Sequence, residues 1–133
     1  MSLRPLNELI EEYYTKYDSI GRVKSKILNS DVHFTAEGRL HLLYKGNRKK
    51  RNVQEQRYKL MLFPLVIPVL KFSDNIQNWR FRSPDDPADV QYYAVVGKAG
   101  HADLEVRVIV KRTGDGQFNF HSVMKHTNKK PRR

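Results

Sequence analysis

Glu105, Arg107, Lys111 and His121 bring a carboxylate, two cations and an imidazole into one short stretch of chain. Those groups suffice to cut an RNA phosphodiester without a metal. One removes the 2′-hydroxyl proton, a cation steadies the pentavalent phosphate, and an acid protonates the leaving oxygen. Whether they share a face depends on the strands that carry them. Leu104 to Lys111 alternates strictly, with Leu104, Val106, Val108 and Val110 on one side and Glu105, Arg107, Ile109 and Lys111 on the other. Phe118 to Met124 returns after the turn Gly114-Asp115-Gly116. A three-residue loop with Gly116 in the left-handed region pairs Thr113 with Gln117. Val110 then meets Phe120, Val108 meets Ser122 and Val106 meets Met124, giving one apolar face. The opposite face sets Lys111 across from Asn119, Ile109 across from His121 and Arg107 across from Val123. A two-residue turn would mix core and charge on both faces. The plainer alternative is a solvent-facing strand with charges at alternate positions.

The remaining histidines add one candidate. His41 and Lys45 lie at i, i+4 and point the same way from a helix, as a proton-transferring or phosphate-holding pair or as an ordinary helix surface. His33, His101 and His126 carry no special spacing, and no HExxH or other metal-ligand pattern appears, so no metal is expected. The chain has no P-loop, no GxGxxG and no Gly-x-Ser-x-Gly, which disfavours nucleotide hydrolysis, dinucleotide chemistry and hydrolase-elbow chemistry. No cofactor is expected. There is no cysteine, so disulfides and thiol catalysis are excluded, in keeping with a reducing cytoplasm.

The charge is lopsided. Among 133 residues, 25 Lys+Arg stand against 14 Asp+Glu, a net +11. A surplus of that size favours polyanions through counterion release, although charge can also serve solubility alone. It concentrates between Arg39 and Lys59, where eight Lys/Arg face one acid, Glu55. Lys45, Arg48, Lys49, Lys50, Arg51 and Arg57 are the expected nucleic-acid contacts.

These residues need elements to position them. After Pro5, suited to a first helical position, Leu6, Leu9, Ile10, Tyr13, Tyr14 and Tyr17 recur at helical spacing and predict an amphipathic helix whose tyrosines are core. Ser19 to Asn29 extends it or forms a second short helix. Asp31 to Phe34 reads as extended, Thr35 as an N-cap, and Leu40, Leu43 and Tyr44 as helical. Gln54 to Phe63 reads as a helix ended by Pro64 and Pro68. Val69 to Phe72, Trp79 to Arg82 and Tyr92 to Val96 read as strands, with a loop at 83–87. The expectation is one α+β domain over residues 1–127, with N-terminal helices followed by a curved antiparallel sheet ending in the 104–124 hairpin, and a basic tail at 128–133. The apolar stretch Leu60 to Leu70 is too short to span a bilayer and is broken by prolines, so no membrane association is expected. No charged-then-apolar leader opens the chain, and the expected compartment is the cytoplasm.

The runs DVHFTAEGRLHLLYKGNRKKR, LFPLVIPVLKF and YYAVV…LEVRVIVKRTGDGQFNFHSVMKH resemble the phage- and mobile-element-associated nucleases of the Barnase–EndoU–Colicin–RelE superfamily, over roughly residues 31–126. By position, His41 looks like that family's helix histidine, Arg107 or Lys111 like its strand cation, and Ser122 or His121 like its final-strand residue. Many relatives carry a second helix histidine where this chain has Lys45 or Gly46, and the three-residue-loop register turns Ser122 toward the core. The resemblance implies metal-independent RNA cleavage through a cyclic phosphate, with RNA preferred over DNA. The alternatives are a non-catalytic nucleic-acid-binding module, an inactive phage or mobile-element accessory protein, or a toxin-like domain neutralised by an acidic protein partner.

Overall fold

The tyrosine stripe after Pro5 forms helix α1, Leu6–Ile20, with Tyr13 and Tyr17 buried. Pro5 is its N-cap rather than its first helical residue, and its carbonyl accepts the Leu9 N–H at 3.3 Å. The computed structural model describes residues 4–45, 49–79, 89–100 and 104–126, with backbone only at 45, 78 and 79. Arg48, His101, the loop at 83–87 and the tail at 128–133 lie outside the described residues. Helix α1 ends at Gly21, whose positive φ of 68° lets the chain reverse. The segment after Gly21 is therefore not helical. It forms the hairpin β1, Arg22–Ser25, and β2, Ser30–His33.

Thr35 caps helix α2, Ala36–His41, its Oγ1 accepting the Gly38 N–H at 3.4 Å. The helix is shorter than the spacing of Leu40, Leu43 and Tyr44 suggests, because Tyr44 already pairs in a small ribbon of β3, Tyr44–Lys45, and β4, Lys49–Lys50. Helix α3, Val53–Leu62, starts at Asn52, whose side chain accepts the Glu55 N–H. A 3-10 turn at Phe63–Leu65 leads into α4, Val66–Phe72. The Val69–Phe72 segment, which follows a proline, is thus helical rather than extended. Pro68 falls in the first turn of α4, where no intrahelical N–H bond is lost.

Strands β5, Asn75–Trp79, β6, Val90–Ala99, β7, Leu104–Thr113, and β8, Phe118–Lys125, complete a six-stranded sheet of order β1-β2-β8-β7-β6-β5. The fold is α+β, with a curved sheet. The sheet is mixed rather than wholly antiparallel, because β2 docks parallel on β8, pairing Val32 with Phe118 and His33 with Asn119. That pairing ends at Asn119, and helices cover the rest of the β8 edge. Tyr58 Oη accepts the Lys125 N–H at 2.7 Å, and Lys59 Nζ donates to the Val123 carbonyl at 2.7 Å. Side chains of α3 thereby satisfy edge groups that a strand would otherwise pair.

The hairpin register matches the three-residue loop near the turn and then departs from it. Val110 pairs with Phe120 and Lys111 with Asn119, but Ile109 pairs with Ser122, Val108 with Val123 and Arg107 with Met124. His121 is the extra residue of a β-bulge, which bends the strand. Beyond it Val123 joins the core while Met124 turns to the other cluster. The left-handed glycine is Gly114, φ 55°, not Gly116. It stands first of the two central residues of the turn closed by Gly116 N–H to the Thr113 carbonyl, 3.0 Å, where a II′-type turn requires glycine.

Helices cover one sheet face. Tyr17, Phe34, Phe63 and Phe120 meet there among Val32, Leu42, Leu62, Val66, Val108 and Val110. Burying each such side chain contributes about 1.5–3 kcal/mol. The opposite face holds a smaller cluster of Val90, Tyr92, Ala94, Val96 and Ile109.

One contact sets how α2 lies on β8. A Cβ built on Gly38 would collide with the Phe120 carbonyl oxygen and sit 2.6 Å from Tyr17 Oη. Gly→Ala within an exposed helix normally stabilises by about 0.5–1 kcal/mol. Gly38→Ala is expected to do the reverse, destabilising by about 1–3 kcal/mol in urea unfolding as backbone and ring are forced apart.

Candidate active site

Three residues beyond Gly38, His41 shares its side of α2. The bulge in β8 pushes His121 out to meet it. The two imidazole rings stack with centroids 3.9 Å apart and planes 30° from parallel. Tyr92 of β6 packs edge-on against His121 at 5.0 Å. Lys111 of β7 pairs across the ladder with Tyr92 on one side and Asn119 on the other, and its Nζ reaches Glu37 Oε1 of α2 at 3.0 Å. Four elements thus converge: α2 supplies His41 and Glu37, β8 His121, β7 Lys111 and β6 Tyr92.

Burial pushes the His41 imidazole down to about 4, and the nearby cations Arg51, Lys59 and Lys111 add to the effect while Glu37 opposes it. His41 is therefore neutral at pH 7, able to accept a proton. Arg51 does not reach outward. Its Nε and Nη2 donate to the His41 carbonyl at 3.4 and 3.3 Å, and Nη1 pairs with Glu55 at 3.4 Å, which leaves the side chain 11% exposed. It satisfies a C-terminal carbonyl of α2 and adds positive potential beneath the imidazole.

Glu105 and Arg107 lie on the same sheet face but form a separate group. Arg107 Nη2 meets His126 Nδ1 at 2.9 Å, and His126 Nε2 lies 3.4 Å from Glu105 Oε1. Arg107 Nη1 also touches the Met124 sulfur at 3.8 Å, and burial lowers the Arg107 pKa. Arg107 and Lys111 stand four positions apart along the strand, about 13 Å. Ser122 is buried at 3% exposure, and its Oγ accepts from Lys59 Nζ at 3.2 Å. Of the expected phosphate contacts, Lys49 and Lys50 are exposed on β4. Arg57 donates to the Arg4 carbonyl at 2.9 Å, and the Lys45 side chain and Arg48 lie outside the described residues.

The structure therefore gathers His41, Lys111 and His121, sets Glu105 and Arg107 apart, and places Ser122 in the interior. Tyr92 and Glu37 were not legible as partners. Tyr92 sits in a recognisable strand, but its alignment with Lys111 depends on β6–β7 pairing, which no local turn signal fixes.

Among the described residues no group of three His, Asp or Glu side chains could hold a metal ion. Nor, among them, is any helix long and apolar enough to cross a membrane. No family model, no curated protein and no solved structure matches the chain.

The depressed His41 pKa has a thermodynamic consequence. The unfolded histidine, near 6.5, binds a proton that the folded one releases, so stability rises with pH between about 4 and 6.5. This contribution is complete above pH 6.5 and is lost as pH falls toward 4, by at most about 3 kcal/mol. Urea unfolding of wild type and His41→Gln across that range is expected to show a steeper pH dependence for wild type.

Proposed function

We propose that this protein is a metal-independent ribonuclease of the Barnase–EndoU–Colicin–RelE type, with His41, His121 and Lys111 around the scissile phosphate. The paired imidazoles beside an ammonium carry this reading. Two rings at 3.9 Å are in van der Waals contact, so the phosphate lies across their edges beside Lys111 rather than between their faces. His41, neutral in the free protein, accepts the 2′-hydroxyl proton as the 2′-oxygen attacks phosphorus. The P–O5′ bond breaks as His121 gives its proton to the departing 5′-oxygen. The products are a 2′,3′-cyclic phosphate and a 5′-hydroxyl. Lys111 stabilises the charge on the equatorial oxygens, and Glu37 positions its ammonium in the free protein. A bound phosphate raises the His41 pKa, since an anion favours the imidazolium. The basicity lost to burial thus returns when substrate is present.

Incubation with labelled RNA in EDTA is expected to yield cyclic-phosphate ends. His41→Ala and His121→Ala should each slow cleavage about 10²–10⁴-fold, and Lys111→Ala about 10²–10³-fold. Arg107→Ala should fall far short of these losses. Salt-sensitive RNA binding without cleavage would instead favour a binding module.

Free-enzyme ionisation also shapes the pH profile. The acid limb of kcat/KM is expected near pH 4, where free His41 titrates, rather than near 6.5. A limb that stays near 6.5 and is unmoved by His41→Gln would remove His41 from the base role.

A further inference from the structure

A row of cross-strand partners runs through the site. Arg22 of β1 pairs with His33 of β2, His33 with Asn119 of β8, Asn119 with Lys111 of β7, and Lys111 with Tyr92 of β6. Direct partners project from the same sheet face, about 4.5–5.5 Å apart at Cβ. The buried neighbours agree: Val23 and Val32, adjacent to Arg22 and His33, and Phe120, adjacent to Asn119, point into the helix-covered core. His33 and Asn119 therefore lie beside Lys111, on the side of it away from Tyr92.

We propose that Asn119, with Gln117 and His33, is the subsite that reads the nucleobase of the nucleotide whose phosphate sits at Lys111. The proposal rests on the phosphate site formed by His41, His121 and Lys111 and names what lies next to it. Gln117 Nε2 donates to Asn119 Oδ1 at 2.8 Å, which fixes the Asn119 carboxamide. The pair then offers Asn119 Nδ2 as donor and Gln117 Oε1 as acceptor. A donor beside an acceptor is the complement of a base edge, which is how unpaired RNA bases are read. His33 is half-buried beside them and supplies a flat ring for the base to stack on. The row runs directly from His33 through Asn119 to Lys111, so base and phosphate of one nucleotide lie along adjacent strands.

The test uses inorganic phosphate and the four ribonucleoside 3′-monophosphates, titrated against the full chain while the histidine ring and side-chain amide NMR signals are followed. Phosphate is expected to shift His41 and His121. One nucleotide should bind at least about fivefold more tightly than the others, the lower end for a paired hydrogen-bond contact to a base. Asn119→Ala should erase that preference and leave phosphate affinity unchanged. Asn119→Asp, which replaces the donor with an acceptor, should change which base is preferred. Phosphate binding with four equal nucleotides, or a preference that survives Asn119→Ala, overturns the base subsite alone. Failure of phosphate to bind overturns the phosphate site and the subsite built on it.

Discussion

The absence of a side chain at residue 38 lets α2 lie against β8 closely enough for the Phe120 carbonyl and Tyr17 Oη to occupy the place of a Cβ. Much of the site depends on that contact. Tyr17 Oη donates to the Thr35 carbonyl and Tyr13 Oη to the Arg39 carbonyl, both at 2.7 Å, so α1 grips α2 at its N-cap and again one turn later. With the helix held there, His41 is carried over the residue that comes after Phe120, which is His121. A larger residue at 38 would lift α2 and separate the rings without touching either histidine.

The bulge supplies the second half of the geometry. In an unbroken ladder His121 would sit opposite Ile109 and Val123 opposite Arg107. The extra residue instead moves Val123 into the core and lets His121 lean toward α2. It also satisfies two demands that a regular strand could not meet together. Strand β8 must pair parallel with β2 up to Asn119, and beyond that point it must accept side chains of α3 along the same edge. Lys59, reaching both Ser122 and Val123, marks the change of neighbour. The strand changes partner beside the residue that stacks on His41.

How much of this the sequence disclosed depends on the range of each signal. The period-two pattern of residues 104–111 and the turn glycines are local, and they define both strands and the pairing nearest the turn. The bulge is not local, because it depends on what packs on both faces of β8, and the register beyond Val110 was displaced by one residue. The short hairpin Arg22–His33 was obscured by its length and by the helix before it, and α4 by its β-branched residues beside a proline. His41, Lys111 and His121 stood out as reactive types. Their separation from Arg107 and Glu105 did not, since residues on one face of a strand can still be about 13 Å apart.

The basic block has a different meaning in the fold from its meaning in the sequence. Arg39 is bound bidentately by Asp18 and lies 4.8 Å over the Tyr14 ring. Arg51 anchors the end of α2, Arg57 holds the Arg4 carbonyl, and Lys59 lines the edge of β8. These charges are fixed by the protein's own acceptors, and their effect on a ligand is indirect. Burial keeps His41 neutral, with Arg51 and Lys59 adding to the effect, while Lys49 and Lys50 on β4 remain exposed, where they would meet the RNA of the proposed function. Salt should screen those two roles unequally, because exposed charges lose their reach within about 10 Å at 0.1 M salt whereas buried ones are far less affected. Under the proposed function, capture of RNA is therefore the salt-sensitive step, and the protonation state of His41 is set by the fold.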